Sequence, residues 1–409
     1  MKKFICIIMC IIMCVTDLSG ACFASAENTL SAEYYSEDIT ADFESETVGE
    51  AVAAGASPAI SGKAAVLMEK QTGKVLFEQN AHERLAPASI TKVMSLLLIS
   101  EAIDCGKLSL DTKITASAHA CSMGGSQIWL KENEVMTVDE LLRAAVIASA
   151  NDATVALAEA VAGSEEAFVD MMNAKAAELG MEDTHFVNSS GLDAEGHLTS
   201  AYDIAVMSVE LIKHDFIKNY TTVWMDSLRD GASQLVNTNK LIRFYQGATG
   251  LKTGTTSSAG FCVSATAKKN GMELCAVILG AENNDGRFSS AKALLNYGFA
   301  NWEIERVELE SKKLKAVNVE KGIEEKVPIE AEGVGEYLLE KGNKSEISVK
   351  YDIPETVTAP IAKGEKIGKA TVTVSGKKIG EINITASSHV KKLTFTAALI
   401  KILNALFTL

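Results

Sequence analysis

Alternating apolar and polar positions predict strands at both ends of residues 60–302. Residues 62–80 (GKAAVLMEKQTGKVLFEQN) predict two strands around a glycine-containing turn. Residues 260–282 (GFCVSATAKKNGMELCAVILGAE) predict two half-buried strands that KKNG joins as a hairpin. Residues 289–303 (SSAKALLNYGFANWE) follow as a helix that packs back on the sheet.

The stretch between these strand pairs has helical character. We expect helices to begin at Ser89, at Thr137 with a capping box to Glu140, at Ser164, and at Thr199 or Ser200. Gly106 and Gly180 are expected to end the first and third of these helices. A sheet built from both ends of this region, with helices inserted between, predicts an α+β domain over residues 58–302.

The C-terminal part changes character twice. Residues 303–386 carry short alternating runs separated by Gly and Pro, which predicts a small all-β domain without a catalytic cluster. Residues 387–409 then predict an amphipathic helix. Its apolar face is formed by Phe395, Leu399, Ile402, Leu403, Leu406 and Phe407, and its polar face by Thr394, Lys401, Asn404 and Thr408. The apolar stretch is short for crossing a bilayer, so we expect a helix that lies in a membrane interface, with a helix docked on the protein as the alternative.

The N-terminal residues predict export. Two lysines, an apolar run and Ala24-Ser25-Ala26 are typical of a signal peptide over residues 1–26, with cleavage expected after Ala26. A lipoprotein at Cys22 is the weaker alternative, because Leu18 lies one position too far upstream. Residues 27–57 contain acidic residues but no Lys or Arg, which indicates a disordered acidic spacer.

Charge and cysteine content exclude some classes of protein. The net charge of −14 disfavours nucleic acid as a partner, since nucleic-acid binding needs a basic face. Cys105, Cys121, Cys262 and Cys275 lie beyond the signal peptide without a C-x-x-C pair, so a zinc site is not indicated. Cys262 and Cys275 could form a disulfide, although free buried thiols fit equally well. The histidines lack an H-E-x-x-H pattern, and no metal or other cofactor is expected.

PASITKVMS contains the first candidate for chemistry. Ser89 and Lys92 are three residues apart, so on a helix both side chains lie on one face and the amine can reach the hydroxyl. The helix N-terminus and burial both disfavour a charged lysine there, which makes a proton-accepting amine plausible. By itself the pattern is better explained as an ordinary helix start. It recurs at Ser289 with Lys292, Ser375 with Lys378, and Ser388 with Lys391.

Two further motifs accompany the first one. ASANDATVALAE places Ser149 two residues before Asn151, where a helix N-cap is the alternative explanation. GATGLKTGTTSSAGF places Lys252-Thr253-Gly254 at the start of a predicted strand, where an ordinary turn and strand would explain it. The ordered set S-x-x-K, S-x-N and K-T-G is a signature of penicillin-interacting serine enzymes.

With these motifs the sequence resembles the low-molecular-mass penicillin-binding proteins, which are D-alanyl-D-alanine carboxypeptidases. LAPASITKVMS, FVNSSGLDAEGHLTSAYDIAVMS and GAENNDGRFSSAKALLNYGF also match, and the resemblance extends over residues 60–386 and the tail. It implies an antiparallel sheet with a helical subdomain, followed by the small β domain and a membrane-anchoring helix. It also implies removal of terminal D-alanine from peptidoglycan stem peptides at the outer face of the cytoplasmic membrane, and acylation by β-lactams.

The resemblance assigns the catalytic roles to three side chains. Ser89 is expected to be the nucleophile and Lys92 its base. Ser149 is expected to relay a proton to the leaving amine.

The resemblance also implies roles in binding the substrate and the oxyanion. Asn151 would hold the peptide backbone, Lys252 would supply positive charge, and Gly254 would let a substrate strand approach. Thr253 and Arg287 would bind the terminal carboxylate, and the backbone N–H groups of Ser89 and Thr255 would form the oxyanion hole.

Three other functions share parts of this pattern. A class A β-lactamase would be shorter and would carry an E-x-x-L-N pattern, which NSSGLDAEGHLTS lacks although it contains Asp193 and Glu195. A D,D-endopeptidase would use the same acyl transfer. A wall-binding protein that has lost catalysis would not need the complete set of polar groups. Family members often have a histidine where this chain has Ser190, a position outside the reacting groups.

Overall fold

The computed structural model describes residues 57–342 and 346–407. The predicted signal peptide lies outside these residues, and so does the predicted acidic spacer apart from its last residue. Within residues 57–301 the structure has nine strands: β1 Ala64–Glu69, β2 Val75–Gln79, β3 Lys113–Thr115, β4 Val135–Thr137, β5 Met225–Leu228, β6 Ser233–Val236, β7 Ala248–Thr256, β8 Gly260–Lys269 and β9 Met272–Ala281.

Nine helices belong to the same part of the chain. They are α1 Lys92–Asp104, α2 Ala118–Cys121, α3 Val138–Ile147, α4 Asn151–Ala162, α5 Glu165–Glu178, α6 Ala201–Leu211, α7 Lys218–Thr221, α8 Leu241–Phe244 and α9 Asn284–Asn301. Short 3-10 turns lie at Ala88–Thr91 and Asp215–Ile217. The predicted helix starts are confirmed, with Thr137, Ser164 and Ser200 as N-caps, but the helix expected from Ser89 begins with a 3-10 turn before α1.

The main sheet has the antiparallel order β2-β1-β9-β8-β7 and combines strands from both ends of the region, as predicted. Asn270 and Gly271 both have positive φ between β8 and β9, which is the conformation of a tight hairpin turn. Alternate side chains of β1 enter two cores. Val66 packs on one face against the helices that lie between β2 and β7 in the chain, which we call the helical block. Leu67 packs against α9 on the other face. Because both faces are covered, β1 is buried along its whole length.

The C-terminal domain is all β, as the sequence predicts. Its strands are β10 Trp302–Val307, β11 Val317–Glu320, β12 Lys326–Val327, β13 Ile329–Ala331, β14 Gly335–Glu340, β15 Ile347–Asp352, β16 Thr356–Thr358, β17 Lys366–Val374 and β18 Lys377–Ala386, with a 3-10 turn at Ser311–Lys313. A separate apolar core lies between them. Val390 is buried and pairs with Ile361, and Lys392 pairs with Gly322, so the domain's contacts continue past β18.

The tail forms helix α10, Phe395–Phe407, which starts later than residue 387 because the preceding residues pair with the β domain. Five of its apolar side chains are exposed: Phe395, Leu399, Ile400, Ile402 and Leu403. Within residues 57–342 and 346–407, no helix combines the length and apolarity needed to cross a membrane.

The capping box of α3 yields a stability prediction. Thr137 Oγ1 accepts the backbone N–H of Glu140, and the Glu140 carboxylate accepts the N–H of Thr137. Replacing Thr137 with Ala should lower the free energy of unfolding by about 1 kcal/mol, because the backbone N–H of Glu140 loses its acceptor and the Glu140 carboxylate loses the hydroxyl donor. Thr137→Ser retains the hydroxyl and serves as the control. Urea unfolding of the two variants checks this, and equal midpoints would contradict it.

Candidate active site

Lys92 lies fully buried at the first position of α1, one turn after Ser89. Its Nζ donates to Ser89 Oγ at 3.0 Å, to Asn151 Oδ1 at 2.5 Å and to the backbone oxygen of Ser190 at 2.7 Å. Three acceptors therefore fix the amine beneath the serine hydroxyl. The expected proximity of Ser89 and Lys92 is present in the structure.

Burial is the main reason that the pKa of Lys92 lies well below its usual range. Repulsion from Lys252 lowers it further, whereas attraction to the buried carboxylate of Asp152 opposes the shift. An amine that loses its proton this readily can take a proton from a neighbouring hydroxyl. The lysines of the other three S-x-x-K matches, Lys292, Lys378 and Lys391, are exposed, so burial distinguishes the first match from the rest.

Ser149 and Asn151 lie at the junction of α3 and α4. Ala150 is the N-cap of α4, so the alternative explanation of these residues as caps is wrong. Ser149 is buried and has a φ of +63°, a conformation that costs a non-glycine residue about 1–2 kcal/mol. Asn151 donates from Nδ2 to the backbone oxygen of Gly124 at 2.6 Å while Oδ1 accepts from Lys92. The amide is thereby held in one orientation.

The K-T-G motif lies in β7, which is an edge strand of the main sheet formed by the described residues. An edge strand has backbone groups that can pair with an added peptide strand. Lys252 is buried, and burial together with repulsion from Arg287 lowers its pKa to about 7. Its amine donates to the backbone oxygen of Thr253 at 3.1 Å.

Gly254 is needed for packing within the protein, in addition to the approach of a substrate strand that the resemblance implies. A Cβ at this position would lie 2.8 Å from the backbone oxygen of Pro87 and 2.9 Å from the backbone nitrogen of Ser89. The absent side chain thus lets β7 pack directly against the turn that carries the nucleophile. A substrate strand is not needed to explain the glycine.

Arg287 projects from α9 to the K-T-G strand. Its Nη1 donates to Thr255 Oγ1 at 3.0 Å and to the backbone oxygen of Gly254 at 3.2 Å. Thr253 Oγ1 donates instead to Thr238 Oγ1 at 2.6 Å. The guanidinium therefore lies beside Thr255, two residues beyond Thr253, the threonine that the resemblance pairs with it.

The sequence motifs did not identify four residues that support the site through hydrogen bonds. They are Thr91, Asp152, Ser190 and His197. Asp152 accepts the N–H groups of Ile128 and Leu130 and so holds the loop that contacts Asn151. Ser190 reaches Lys92 through its backbone oxygen, which explains why the side chain at this position is free to differ from the family's histidine. Asp152 directly follows S-x-N and could have been noticed as an acid in the first turn of a helix.

The cysteines among the described residues, Cys105, Cys121, Cys262 and Cys275, are all free thiols. Cys262 and Cys275 are buried in neighbouring strands, where Cys262 opposes Gly254 and Cys275 opposes Thr266. Cys262 and Cys275 are therefore free buried thiols and do not form a disulfide with each other.

Comparison with known proteins decides the family. Residues 51–283 match the model of the D-alanyl-D-alanine carboxypeptidase family, and residues 307–392 match that of the C-terminal domain of penicillin-binding protein 5. The chain belongs to the D-alanyl-D-alanine carboxypeptidase family. It is 42% identical to D-alanyl-D-alanine carboxypeptidase DacF of Bacillus subtilis, over 81% of this chain and 87% of that protein.

Solved structures of this family share the architecture. Penicillin-binding protein 5 from Haemophilus influenzae superposes with a TM-score of 0.69 at 30% identity, covering 82% of this chain and 99% of that one. Penicillin-binding protein D2 from Listeria monocytogenes in its ampicillin-bound form superposes with a TM-score of 0.55 at 32% identity, covering 60% of this chain and all (100%) of that one. The predicted fold is confirmed.

The electrostatics of Lys92 predict opposite pH shifts for two variants. If the neutral amine is the base, penicillin acylation rises as Lys92 loses its proton. Lys252→Gln removes repulsion, raises the pKa of Lys92 and should move this rise to higher pH, whereas Asp152→Asn removes attraction and should move it to lower pH. Acylation rates measured from about pH 5 to 10 give the position of the rise. Shifts in the same direction would contradict the assignment.

Proposed function

We propose that this chain is a serine-type D-Ala-D-Ala carboxypeptidase that removes the terminal D-alanine from peptidoglycan pentapeptide stems through an acyl-enzyme on Ser89. The observation that carries the proposal is the buried Lys92 amine 3.0 Å from Ser89 Oγ, beside the open edge of β7. Family membership supports the reaction class.

Acylation begins with proton transfer from Ser89 Oγ to the neutral amine of Lys92, as Oγ attacks the carbonyl carbon between the two D-alanines. The carbonyl oxygen gains negative charge and is stabilised by the backbone N–H groups of Ser89 and Thr255. A donor of this kind is worth about 3–4 kcal/mol in the transition state. When the tetrahedral intermediate collapses, the C–N bond breaks and the D-alanine amine takes a proton from Lys92 through Ser149. Water then hydrolyses the ester.

Substrate is expected to bind as an added strand along β7, with its backbone amide held by Asn151. Arg287, with Thr255 beside it and Thr253 on the same strand, supplies the cationic end of the groove for the substrate carboxylate. Lys252, whose pKa is about 7, adds positive charge in its protonated state. Ser89, Lys92 and Ser149 are the proposed catalytic residues, and Asn151, Lys252, Thr253, Gly254, Thr255 and Arg287 are the proposed substrate-binding residues.

β-Lactams are proposed covalent inhibitors of the same serine. A β-lactam presents a strained amide and a carboxylate to the groups that would receive D-Ala-D-Ala. Relatives of this chain have been solved in ampicillin-bound and cefotaxime-bound forms.

Export and membrane attachment complete the proposal. Residues 1–26 would direct secretion, residues 27–57 would act as a spacer, residues 58–302 would form the catalytic domain and residues 303–386 the small β domain. Residues 387–409 would hold the enzyme on the outer face of the cytoplasmic membrane. The exposed apolar side chains of α10 support interfacial binding, because they lack cover from the described part of the chain.

Release of D-alanine is the direct test of activity. The purified protein should release D-alanine from a pentapeptide that ends in D-Ala-D-Ala, and labelled penicillin should attach to it covalently. Ser89→Ala should abolish both, because the bond-forming oxygen is absent. Absence of D-alanine release between about pH 6 and 10 would contradict the proposal, and rapid penicillin turnover without D-alanine release would identify a β-lactamase instead.

Membrane attachment predicts that α10 is needed for binding to lipid. Truncation after Thr394 should prevent co-sedimentation with vesicles of phosphatidylglycerol and phosphatidylethanolamine, while Val390 and its pairing with Ile361 remain intact. A Leu399→Glu, Leu403→Glu variant, which keeps the full length, should behave like the truncation because charges replace exposed apolar contacts. Unchanged sedimentation of either variant would refute the anchor.

A further inference from the structure

The turn that carries Ser89 has an unusual backbone at the residue before the nucleophile. Ala88 has a φ of +49° although it is not glycine, and such conformations persist only where surrounding contacts hold them. Gly191 packs directly against this residue, and a Cβ at Gly191 would lie 1.9 Å from the Ala88 oxygen. The Ala88–Ser89 peptide unit is therefore clamped between the loop containing Gly191 and strand β7.

A chain of hydrogen bonds ends on the same peptide unit. Thr91 Oγ1 donates to the backbone oxygen of Ala88 at 2.8 Å and lies 2.7 Å from His197 Nε2. The backbone N–H of Val187 donates to His197 Nδ1 at 2.9 Å, so Nδ1 carries no proton. The proton of the neutral ring is on Nε2, which donates to Thr91. The direction of each bond is thus determined: His197 to Thr91, and Thr91 to Ala88.

The Ala88 carbonyl and the Ser89 N–H belong to one planar trans peptide unit and point in opposite directions. Whatever fixes the carbonyl therefore also fixes the direction of the N–H. A hydrogen bond accepted by the carbonyl polarises the unit and makes its N–H a stronger donor. In the proposed mechanism that N–H is half of the oxyanion hole.

We propose that His197 and Thr91 are positioning residues that orient the Ser89 N–H toward the oxyanion. The proposal rests on the proposed acyl transfer and extends it by two residues that do not touch substrate. His197 also lines a cavity of about 410 Å³ beside the turn, which Pro87, Ala88 and Gly191 line as well.

The surroundings of His197 keep the ring neutral. Burial lowers its pKa to about 4, repulsion from His185 adds to the shift, and Asp193 opposes it. A protonated ring would set an Nδ1–H against the N–H of Val187, donor against donor. The neutral Nε2–H form is therefore the one present in the pH range of the proposed activity.

Two matched pairs of variants test the proposal. Thr91→Val removes the hydroxyl at nearly constant shape, and Thr91→Ser retains it. His197→Asn can still accept from Val187 but is too short to reach Thr91, whereas the amide nitrogen of His197→Gln lies near the position of Nε2 and can still donate. The readouts are kcat and KM for D-alanine release, the penicillin acylation rate, the affinity for a peptide boronic acid that mimics the tetrahedral intermediate, and Tm.

The expected result is a loss in kcat, acylation rate and boronate affinity of about tenfold or more for Thr91→Val and His197→Asn, with KM little changed. Thr91→Ser and His197→Gln should recover most of the wild-type rate. The double variant Thr91→Val, His197→Asn should be no slower than the worse single variant, because both residues act through one chain of bonds.

Several outcomes would overturn the proposal. These are wild-type kcat in Thr91→Val and His197→Asn, a loss confined to Tm or to KM, or additive losses in the double variant. If His197→Asn does not fold, the Thr91 pair carries the test alone. If the wild type releases no D-alanine, the proposed function fails, whereas penicillin acylation of the variants still decides the positioning role.

Discussion

The site depends on one constraint: the amine of Lys92 is buried away from water and lies within hydrogen-bond distance of the Ser89 hydroxyl. Desolvation disfavours the charged form of Lys92, and the nearby Lys252 adds repulsion. The oxygens of Asn151 and Ser190 can accept the two N–H bonds of the neutral amine, which leaves its lone pair for the Ser89 hydroxyl. None of these three groups is a carboxylate that would restore the proton. Burial thus favours the proton-accepting form of the amine, which the helix start alone would not do.

Burial of this amine requires the helical block and the sheet to close on α1 from different directions. Asn151 comes from the start of α4, and Ser190 comes from the loop after α5. β7 approaches from the sheet, and Gly254 allows it to touch the turn of Ser89. Among the described residues, no further strand pairs with the outer edge of β7, which is the edge proposed above to receive the substrate.

Two residues with positive φ, Ala88 and Ser149, show where packing overrides local preference. Neither is glycine, and each departs from the helix-start geometry that its sequence suggests. Both lie where a reacting group must be aimed. At Ala88, the hydrogen bonds from Thr91 to Ala88 and from His197 to Thr91 offset the cost of the positive φ next to the nucleophile.

The sequence by itself determined the main helices and sheet strands, the capping box at Thr137, the β8–β9 hairpin and the three motifs that contain the proposed catalytic residues. These features depend on neighbours a few residues apart, and Ser89 and Lys92 are such a pair. Only the tertiary structure decided that Lys92 is buried, that Arg287 lies beside Thr255, that Gly254 makes room for the catalytic turn, and that His197 reaches Thr91. Those contacts join residues far apart in the chain, so they depend on how the helical block packs on the sheet, which no local pattern encodes.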